Sequence, residues 1–324
     1  MALYHLSLFK RNDKNGLNLG GVEKFAHYLN RATGAELVSF YDFPDHKKYA
    51  DVPDYEKAAA LTSWFSGIVT RDDTVIVDGF WGIGLESTVK RLISVCHGSY
   101  YGRFIQHQLY PWGEDISRTL IEKQMNFWEE PNVEIVAVSR GAAQELYSYG
   151  IRKEIEVINN GVDLEAYRIM DDVEQKYLIH AATSALKGLD IVNYLNNRKL
   201  YDIVFMNEFS GIFANEARRL NEAYLVFAPT RYEGCSYFLL ESLACGIPVV
   251  TYAVGIALDF DSRCGVVTDD LYGIDRQLSY AIDHYSFSKP ARNRAREWAV
   301  EHGDYENFRR SWLEYLGGKY FVAR

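Results

Sequence analysis

The segment from residue 223 to residue 248 constrains the fold of this chain more than any other. Residues 223–229, Ala-Tyr-Leu-Val-Phe-Ala-Pro, form a continuous apolar run that predicts a buried strand. Residues 237–245 are apolar on nearly every side and predict a helix that is buried all round. Gly246 predicts a left-handed helix cap, and Pro248 prevents the helix from continuing. A strand followed by such a helix is the building unit of an α/β fold.

Two glutamates lie close to the start of this predicted helix. Glu241 falls on the buried helix itself, and burying a carboxylate without a partner is expensive. A ligand hydroxyl is one group able to act as that partner. Glu233 precedes the helix, in a loop that faces the same region, and the helix N-terminus offers free amides and a positive dipole end to a phosphate. Carboxylates that hold hydroxyls, next to amides that hold phosphate, predict a nucleotide-sugar site.

This motif resembles the signature of the retaining glycosyltransferases of family 4. The likeness consists of Glu233, the residues Gly234, Cys235 and Ser236 after it, and Glu-Ser-Leu-Ala-Cys-Gly-Ile-Pro-Val-Val from Glu241 onward. The resemblance implies an α/β fold of the GT-B type, with two Rossmann-like domains facing across a cleft. It also implies that Glu233 contacts the donor sugar, Glu241 contacts the ribose, and the loop between them binds the donor. The alternative is an ordinary buried strand and helix with an incidental glutamate.

The rest of the chain alternates short apolar segments with helical patterns, which is the rhythm of a parallel sheet. The other predicted strands are residues 3–9, 36–41, 74–78, 92–96, 133–138, 155–158, 177–182, 204–207, 249–252 and 265–267. Residues 159–163, Asn-Asn-Gly-Val-Asp, are similar to the family's Pro-Asn-Gly-Val-Asp at the end of its first domain. We therefore predict an acceptor-binding domain at 1–162, a compact nucleotide-sugar-binding domain at 163–305, and a helix, 306–324, that packs back on the first domain.

Further positions match the family. Gly20 and Gly21 follow the first strand, where backbone approaches a phosphate closely, and relatives carry a glycine pair there near the donor diphosphate. His97 ends a predicted strand at the sheet edge where ligands bind, and in family 4 a histidine here lies beside the donor sugar. Lys187 matches a lysine that contacts the diphosphate. The resemblance thus makes Glu233, Lys187 and His97 the candidate catalytic residues. A structural histidine and a solvated lysine at a helix start are the alternatives.

The chain departs from the family in its second half. Ala182 stands where relatives carry an arginine that contacts the diphosphate, so either Arg103 or Arg231 replaces that cation or turnover is weak. Only residues 188–222 separate Lys187 from the strand before Glu233, which is too short for the family's usual number of βα units. The missing part normally contributes to the nucleotide-base pocket, so the identity of the base stays open.

Three other segments carry weaker signals. Residues 99–112 are rich in aromatic side chains and include Arg103 and His107, which predicts an acceptor wall, with an aromatic core loop as the alternative. Glu23 and Lys24 are predicted as surface residues at a helix start. Residues 259–261, Asp-Phe-Asp, spell the Asp-x-Asp of metal-dependent glycosyltransferases, but their place late in the chain favours a solvated loop.

Bulk properties narrow the class of protein. A chain of 324 residues suits two domains, and its formal net charge of −9 argues mildly against a dedicated nucleic-acid binder. The cysteines lack Cys-x-x-Cys spacing, so a reduced, cytoplasmic protein is expected. The N-terminus enters a strand pattern directly, without the features of a signal peptide, and no apolar run is long enough to cross a bilayer.

The resemblance implies a retaining, metal-independent transfer without a cofactor. The donor would be a nucleotide-diphosphate sugar, with a UDP-sugar favoured, and the acceptor a hydroxyl on a glycan, a lipid-linked sugar or a modified nucleobase. The absent arginine and the short second domain keep an alternative open, a non-catalytic nucleotide-sugar or glycan-binding module of the same fold. An epimerase or phosphorylase of this fold is a third option, although nothing in the sequence argues for the pyridoxal lysine of a phosphorylase.

Overall fold

The computed structural model describes residues 1–7, 20–109, 118–206, 213–270 and 272–317, without the side chains of residues 107–109 and 213–214. The predicted acceptor wall therefore lies partly outside the description, at residues 110–112 and the His107 side chain, as do the predicted strand end at residues 8–9, Asn207 and residues 318–324. Two parallel sheets account for the described strands.

The first sheet contains strands from the first half of the chain. In sequence order these are β1 (Leu3–Ser7), β2 (Glu36–Ser39), β3 (Thr74–Asp78), β4 (Arg91–Cys96), β5 (Val133–Ala137) and β6 (Ile155–Val157). The spatial order is β2-β1-β3-β4-β5-β6, and every pairing is parallel. The helices are α1 (Gly21–Thr33), α2 (Asp54–Phe65), α3 (Tyr100–Leu109), α4 (Arg118–Glu129) and α5 (Arg140–Ser148).

The second sheet is smaller. Its strands are β7 (Tyr177–His180), β8 (Ile203–Phe205), β9 (Ala223–Ala228), β10 (Val249–Tyr252) and β11 (Gly265–Thr268), in the spatial order β11-β10-β9-β7-β8. The helices are α6 (Leu189–Asn197), α7 (Phe213–Asn221), α8 (Tyr237–Ala244), α9 (Ile274–Tyr285), α10 (Lys289–His302) and α11 (Tyr305–Tyr315). All described pairings are again parallel, so the predicted compact second α/β domain is confirmed.

The central prediction holds closely. Strand β9 is followed by α8, whose residues from Leu239 to Ala244 are buried, and Gly246 adopts the left-handed conformation with φ of 72°. The strand predicted at residues 36–41 ends earlier, at Ser39. There Asp42 accepts hydrogen bonds from the Ser39 backbone N–H and hydroxyl, at 2.8 and 2.9 Å, and this local bonding turns residues 40–42 into a 3₁₀ turn.

Helix α11 returns to the first half of the chain, as the predicted GT-B arrangement requires. Phe308 and Trp312 of α11 place their rings 6.0 and 6.2 Å from the ring of Phe25 on α1. All three side chains are buried in a core that also includes residues of α8 and α10. One hydrophobic core therefore joins the two sheets and their helices, so that the loops at the carboxyl ends of both sheets are held facing each other.

The chain crosses between its two halves twice, near Val162 and near residues 303–305, and the two crossings lie side by side. The Val162 backbone N–H donates to the Gly303 carbonyl at 2.8 Å, and the Tyr305 N–H donates to the Val162 carbonyl at 3.0 Å. Glycine is required beside this contact, because a Cβ on Gly161 would lie 2.6 Å from Cβ of Phe308. The predicted boundary after residue 162 lies at the first of these points; the domain limits themselves stay a prediction.

Candidate functional site

A cavity of about 630 Å³, here the major cavity, opens between the two halves of the molecule. Seven of the predicted site residues line it, namely Gly20, Gly21, Lys187, Glu233, Cys235, Ser236 and Glu241. His97 and Gly234 do not. The structure therefore gathers residues from the first turn after β1, the turn before α6 and the loop before α8 around one space.

Two helices begin at the wall of the major cavity. Gly20 is the N-cap residue of α1, and Gly21 is its first residue. Ser236 caps α8, with its hydroxyl accepting from the Leu239 backbone N–H at 3.5 Å. Helix N-termini carry unpaired amides and a partial positive charge, so this wall suits a phosphate group.

Lys187 and Glu233 form an ion pair in front of these helices. Lys187 Nζ donates to Glu233 Oε2 at 2.5 Å, and the two side chains retain 35% and 22% of their exposure. Both residues line the major cavity and also a second cavity of about 290 Å³, here the adjoining cavity. Lys187, for which a solvated lysine was the alternative interpretation, is thus accessible but paired, and its pair stands where the two cavities meet.

Glu241 is also paired, but inside the protein. Lys24 Nζ donates to Glu241 Oε1 at 2.6 Å and to Glu216 Oε2 at 3.0 Å, and the Tyr167 hydroxyl donates to the same Glu216 oxygen at 2.5 Å. The side chains of all three charged residues are at most 3% exposed. The cluster connects α1 in the first half with α7 and α8 in the second.

The burial of this cluster changes its protonation. Burial raises the pKa of Glu241 to about 7, and Glu216 adds to that effect while Lys24 opposes it. Burial by itself lowers the pKa of Lys24, but the two carboxylates outweigh burial and hold that pKa above its ordinary value. The ammonium therefore stays charged, and one carboxylate of the pair around it takes up a proton more readily than a glutamate in water.

The prediction of Lys24 as a surface residue is wrong. Lys24 lies on the buried face of α1, one turn before Tyr28 and next to Phe25, both of them buried. This spacing is a signal available in the sequence, because residues four apart on a helix share a face. The expected partner of Glu241, a ligand hydroxyl, is in this structure the Lys24 ammonium.

His97 lies in the adjoining cavity, where it is held by a residue that the sequence analysis missed. Its Nε2 atom is 3.0 Å from Asp78 Oδ1, and Nε2 of the buried His5 is 3.2 Å from the same oxygen. Burial alone would raise the pKa of Asp78, but the two histidines hold it well below its usual range. Asp78 is the last residue of β3 and His97 directly follows β4, and these two strands are adjacent and parallel. Their carboxyl ends therefore meet at one edge of the sheet, and this is the signal that would have indicated Asp78.

Aromatic rings cover much of the adjoining cavity. Phe80, Trp81, Tyr100 and Tyr232 line it together with Arg103. The predicted acceptor wall is, in its described part, the helix α3, and it contributes Tyr100 and Arg103 to this lining. Tyr232 is anchored behind the wall, where its hydroxyl donates to Glu145 Oε1 at 2.9 Å.

Gly234 has a different place from the one predicted. It packs against the first half of the molecule, where an added Cβ would lie 2.3 Å from the His97 carbonyl oxygen. The Ser139 hydroxyl donates to the Gly234 carbonyl at 2.8 Å. Gly234 therefore permits close contact between the two halves directly behind Glu233.

The substitutes considered for the missing arginine differ in position. Arg231 makes a bidentate ion pair with Asp190 at 2.7 and 2.8 Å and lines neither the major nor the adjoining cavity. Arg103 lines only the adjoining cavity of these two. Among the described residues, the cations that line the major cavity with Ala182 are Lys24 and Lys187.

The two aspartates of the Asp-x-Asp segment form ion pairs with arginines of this chain. Asp259 pairs with Arg140 at 2.8 Å, and Asp261 pairs with Arg263 at 2.9 Å. Within the described ranges, no group of three or more histidine, cysteine, aspartate or glutamate residues is arranged to hold a metal ion. The helices that the structure describes include none that is long and apolar enough to cross a membrane.

Comparison with known proteins shows that the chain is similar to glycosyltransferases. Residues 25–166 match the model of the family described as Glycosyltransferase Family 4. The chain is 24% identical over 181 residues to the O-antigen biosynthesis glycosyltransferase WclY of Escherichia coli. That alignment covers 56% of this chain and 45% of WclY, so it spans less than half of the length of that relative. The resemblance inferred from residues 233–250 is joined by a separate family match in the other half of the chain, over residues 25–166.

Solved structures share the fold. Sucrose-phosphate synthase from Thermosynechococcus elongatus has a TM-score of 0.74 at 11% identity, with 97% of this chain and 98% of that one covered. Alr3699/HepE of Anabaena, in complex with UDP, has a TM-score of 0.69 at 14% identity, with 98% and 100% covered. The predicted GT-B fold is thus confirmed over nearly the whole chain.

Proposed function

Because this chain carries a Glycosyltransferase Family 4 domain within a GT-B fold, we propose that it is a retaining glycosyltransferase. It transfers a sugar from a nucleotide-diphosphate sugar in the major cavity to a hydroxyl acceptor in the adjoining cavity. The observation that carries this proposal is the position of Lys187 and Glu233, which line both cavities. A transfer between two substrates requires such a junction, since the reacting atoms have to meet there.

The proposed donor is a UDP-sugar. Helices α1 and α8 begin at the wall of the major cavity, and this arrangement suits the diphosphate. A protein of the same fold, Alr3699/HepE of Anabaena, has been solved in complex with UDP and with UDP-glucose, which supports the choice of base. Glu241, at the inner wall, is assigned to the ribose hydroxyls.

Negative charge grows on the phosphate as the donor bond breaks, and stabilising that charge is the main catalytic task. Lys187 is assigned to this charge together with the amides at the start of α8, and these groups do not require a metal. When the donor enters, Lys187 exchanges its bond to Glu233 for one to the diphosphate. Glu233 is then free to accept hydrogen bonds from the donor-sugar hydroxyls.

The acceptor hydroxyl approaches from the adjoining cavity. His97, oriented by Asp78, is assigned to the donor sugar at the junction. We place the transfer on the face of the sugar from which the phosphate departs, so that a phosphate oxygen takes the proton of the acceptor. This route retains the configuration at the transferred carbon.

A second candidate function is a binding module that holds a nucleotide sugar or glycan without transferring it. The observation that favours it is Ala182, which lines the major cavity where relatives have an arginine. With one cation fewer at the diphosphate, binding would persist while the leaving group is stabilised less.

Calorimetric titration with UDP, GDP, ADP and their glucose and N-acetylglucosamine conjugates, followed by mass spectrometry for released diphosphate, tests both functions. The expected result is binding of the UDP compounds with slow release of UDP, and loss of that release in Glu233→Gln. Binding without release, also with a glycan acceptor present, supports the module. Failure of every nucleotide to bind would overturn the transfer and the nucleotide-sugar module, and would leave only a module that binds glycans.

A further inference from the structure

A third cavity, of about 330 Å³, is lined by the segment that connects β2 to α2 and by Lys57 of α2, and is named here the β2–α2 cavity. Its lining residues are Phe40, Tyr41, His46, Lys47, Ala50 and Lys57. It has no residue in common with the major or the adjoining cavity, and the proposed transfer assigns nothing to it. All of its lining belongs to the first half of the chain.

The β2–α2 cavity is the neighbour of the adjoining cavity. Phe40 lines the former and Trp81 the latter, and their ring centroids are 6.2 Å apart. A polar connection runs beside these rings, since the Tyr100 hydroxyl lies 3.5 Å from Asp54 Oδ2 and Lys57 Nζ donates to Asp54 Oδ1 at 3.2 Å. Tyr100 lines the adjoining cavity and Lys57 the β2–α2 cavity. Side chains that contact one another therefore connect the linings of the two spaces.

The lining has the chemistry of a site for a charged sugar. Lys47 and Lys57 supply positive charge, the latter while paired with Asp54 at 3.2 Å, and the lining itself includes no carboxylate. Tyr41 is 47% exposed, so it is accessible to a ligand. An amphipathic ring beside cations matches a sugar ring that carries an anionic group, because the ring covers the apolar face while the ammonium groups bind the charge.

We propose that the β2–α2 cavity is a distal acceptor subsite that binds an anionic unit of a glycan whose reacting unit lies in the adjoining cavity. This inference rests on the proposed function, and it narrows the acceptor class. The acceptor is an oligosaccharide that carries a carboxylate or phosphate near its reacting end, rather than a single sugar or a nucleobase.

Titration of the full chain with three oligosaccharides tests this subsite. Tetragalacturonate carries carboxylates, pentamannosyl phosphate carries a phosphate, and mannopentaose is the neutral match of the latter. We expect at least one anionic probe to bind at least tenfold more tightly than mannopentaose. The double variant Lys47→Gln/Lys57→Gln should lose about tenfold or more of that affinity, and Tyr41→Ala should weaken binding to a smaller degree.

Lys48→Gln is the matched control, because Lys48 is exposed and adjacent but does not line the cavity. Its affinity for the anionic probe should equal that of the unchanged protein. Equal binding by the double variant, or no preference of the unchanged protein for either anionic probe, would overturn the subsite. Which of the two probes binds separates a carboxylate from a phosphate as the recognised group.

UDP release from UDP-glucose, measured on the same proteins without acceptor, keeps the two proposals apart. If the unchanged protein neither binds nor cleaves nucleotide sugars but still prefers the anionic oligosaccharide, the transfer proposal fails and the cavity stands as a glycan site. If UDP is released and the anionic preference is absent, transfer stands and the distal subsite is wrong.

Discussion

Two lysine–glutamate pairs in this molecule share their chemistry and differ in their surroundings. Lys187 and Glu233 form a one-to-one pair that remains 35% and 22% exposed at the junction of two cavities. Lys24 and Glu241 are each 3% exposed and share a cluster with Glu216. An exposed pair contributes little to stability and exchanges partners readily, whereas a buried pair is strongly destabilising to break.

This difference in burial indicates which glutamate of the motif is available to a ligand. Glu233 can release Lys187 to the diphosphate and turn to the donor sugar with little loss of stability. Glu241 keeps the α1 and α8 elements together through Lys24, so in the proposed function it meets the ribose only as a member of a structured cluster. The same residue type at two positions of one motif therefore serves two different purposes.

Removing Lys24 is expected to have the largest effect. Lys24→Met leaves two buried carboxylates without their cation, so the free energy of unfolding should fall by about 3–5 kcal/mol. Lys187→Met is the matched control and should change it by less than about 1 kcal/mol. Urea denaturation followed by fluorescence measures both values. Equal losses in the two variants would abolish the distinction between the pairs.

The exposed pair should show the opposite pattern. Lys187→Met and Glu233→Gln are each expected to slow UDP release from the donor by about 10²–10³-fold, because charge at the phosphate and orientation of the sugar are lost. Their unfolding midpoints should stay close to that of the unchanged protein. Glu222→Gln, which alters a pair with Arg219 away from the two cavities, should retain full activity. Normal turnover in Glu233→Gln would show that the site is assigned wrongly.

The pH dependence sharpens the comparison with a smaller effect. The pKa of Glu241 is about 7 in the folded protein against an ordinary 4.5, so between these values the folded state holds a proton that the unfolded chain releases. The stabilising contribution of Glu241 is therefore complete below pH 4.5 and is lost as the pH rises through 7. The slope is at most about 1.4 kcal/mol per pH unit.

Thermal and urea unfolding at pH 5, 6, 7 and 8 measure this slope. The unchanged protein should lose stability relative to Glu241→Gln over that range, because glutamine has no proton to release. Parallel curves for the two proteins would mean that Glu241 titrates normally.

The sequence predicted the fold, and the residues that gather around the major cavity, far better than the rest. Residues 233–241 are contiguous, so one motif could place Glu233, Ser236 and Glu241 at the start of one helix. Local signals also gave the strand β9 and the cap at Gly246. The end of β2 was not predicted, because hydrogen bonds between Ser39 and Asp42 end the strand at Ser39. In the sequence, this serine and aspartate are a weaker signal than the apolar run that they interrupt.

The contacts that the sequence did not predict join residues far apart in the chain. Lys24 meets Glu241 across 217 positions, and Asp78 meets His5 across 73. No spacing rule connects such residues, since their proximity depends on how the two sheets and their helices pack. A lysine on the buried face of α1 indicates that a carboxylate is needed, but only the tertiary structure shows which one.

The contact between Val162 and residues 303–305 has a mechanical consequence. The backbone runs from one half to the other in two places, near Val162 and near residues 303–305. Hydrogen bonds join these two crossings directly. The two halves cannot move apart at this point without breaking these hydrogen bonds. Gly161 adds to this restraint, because a side chain there would collide with Phe308 and with the backbone of Tyr305.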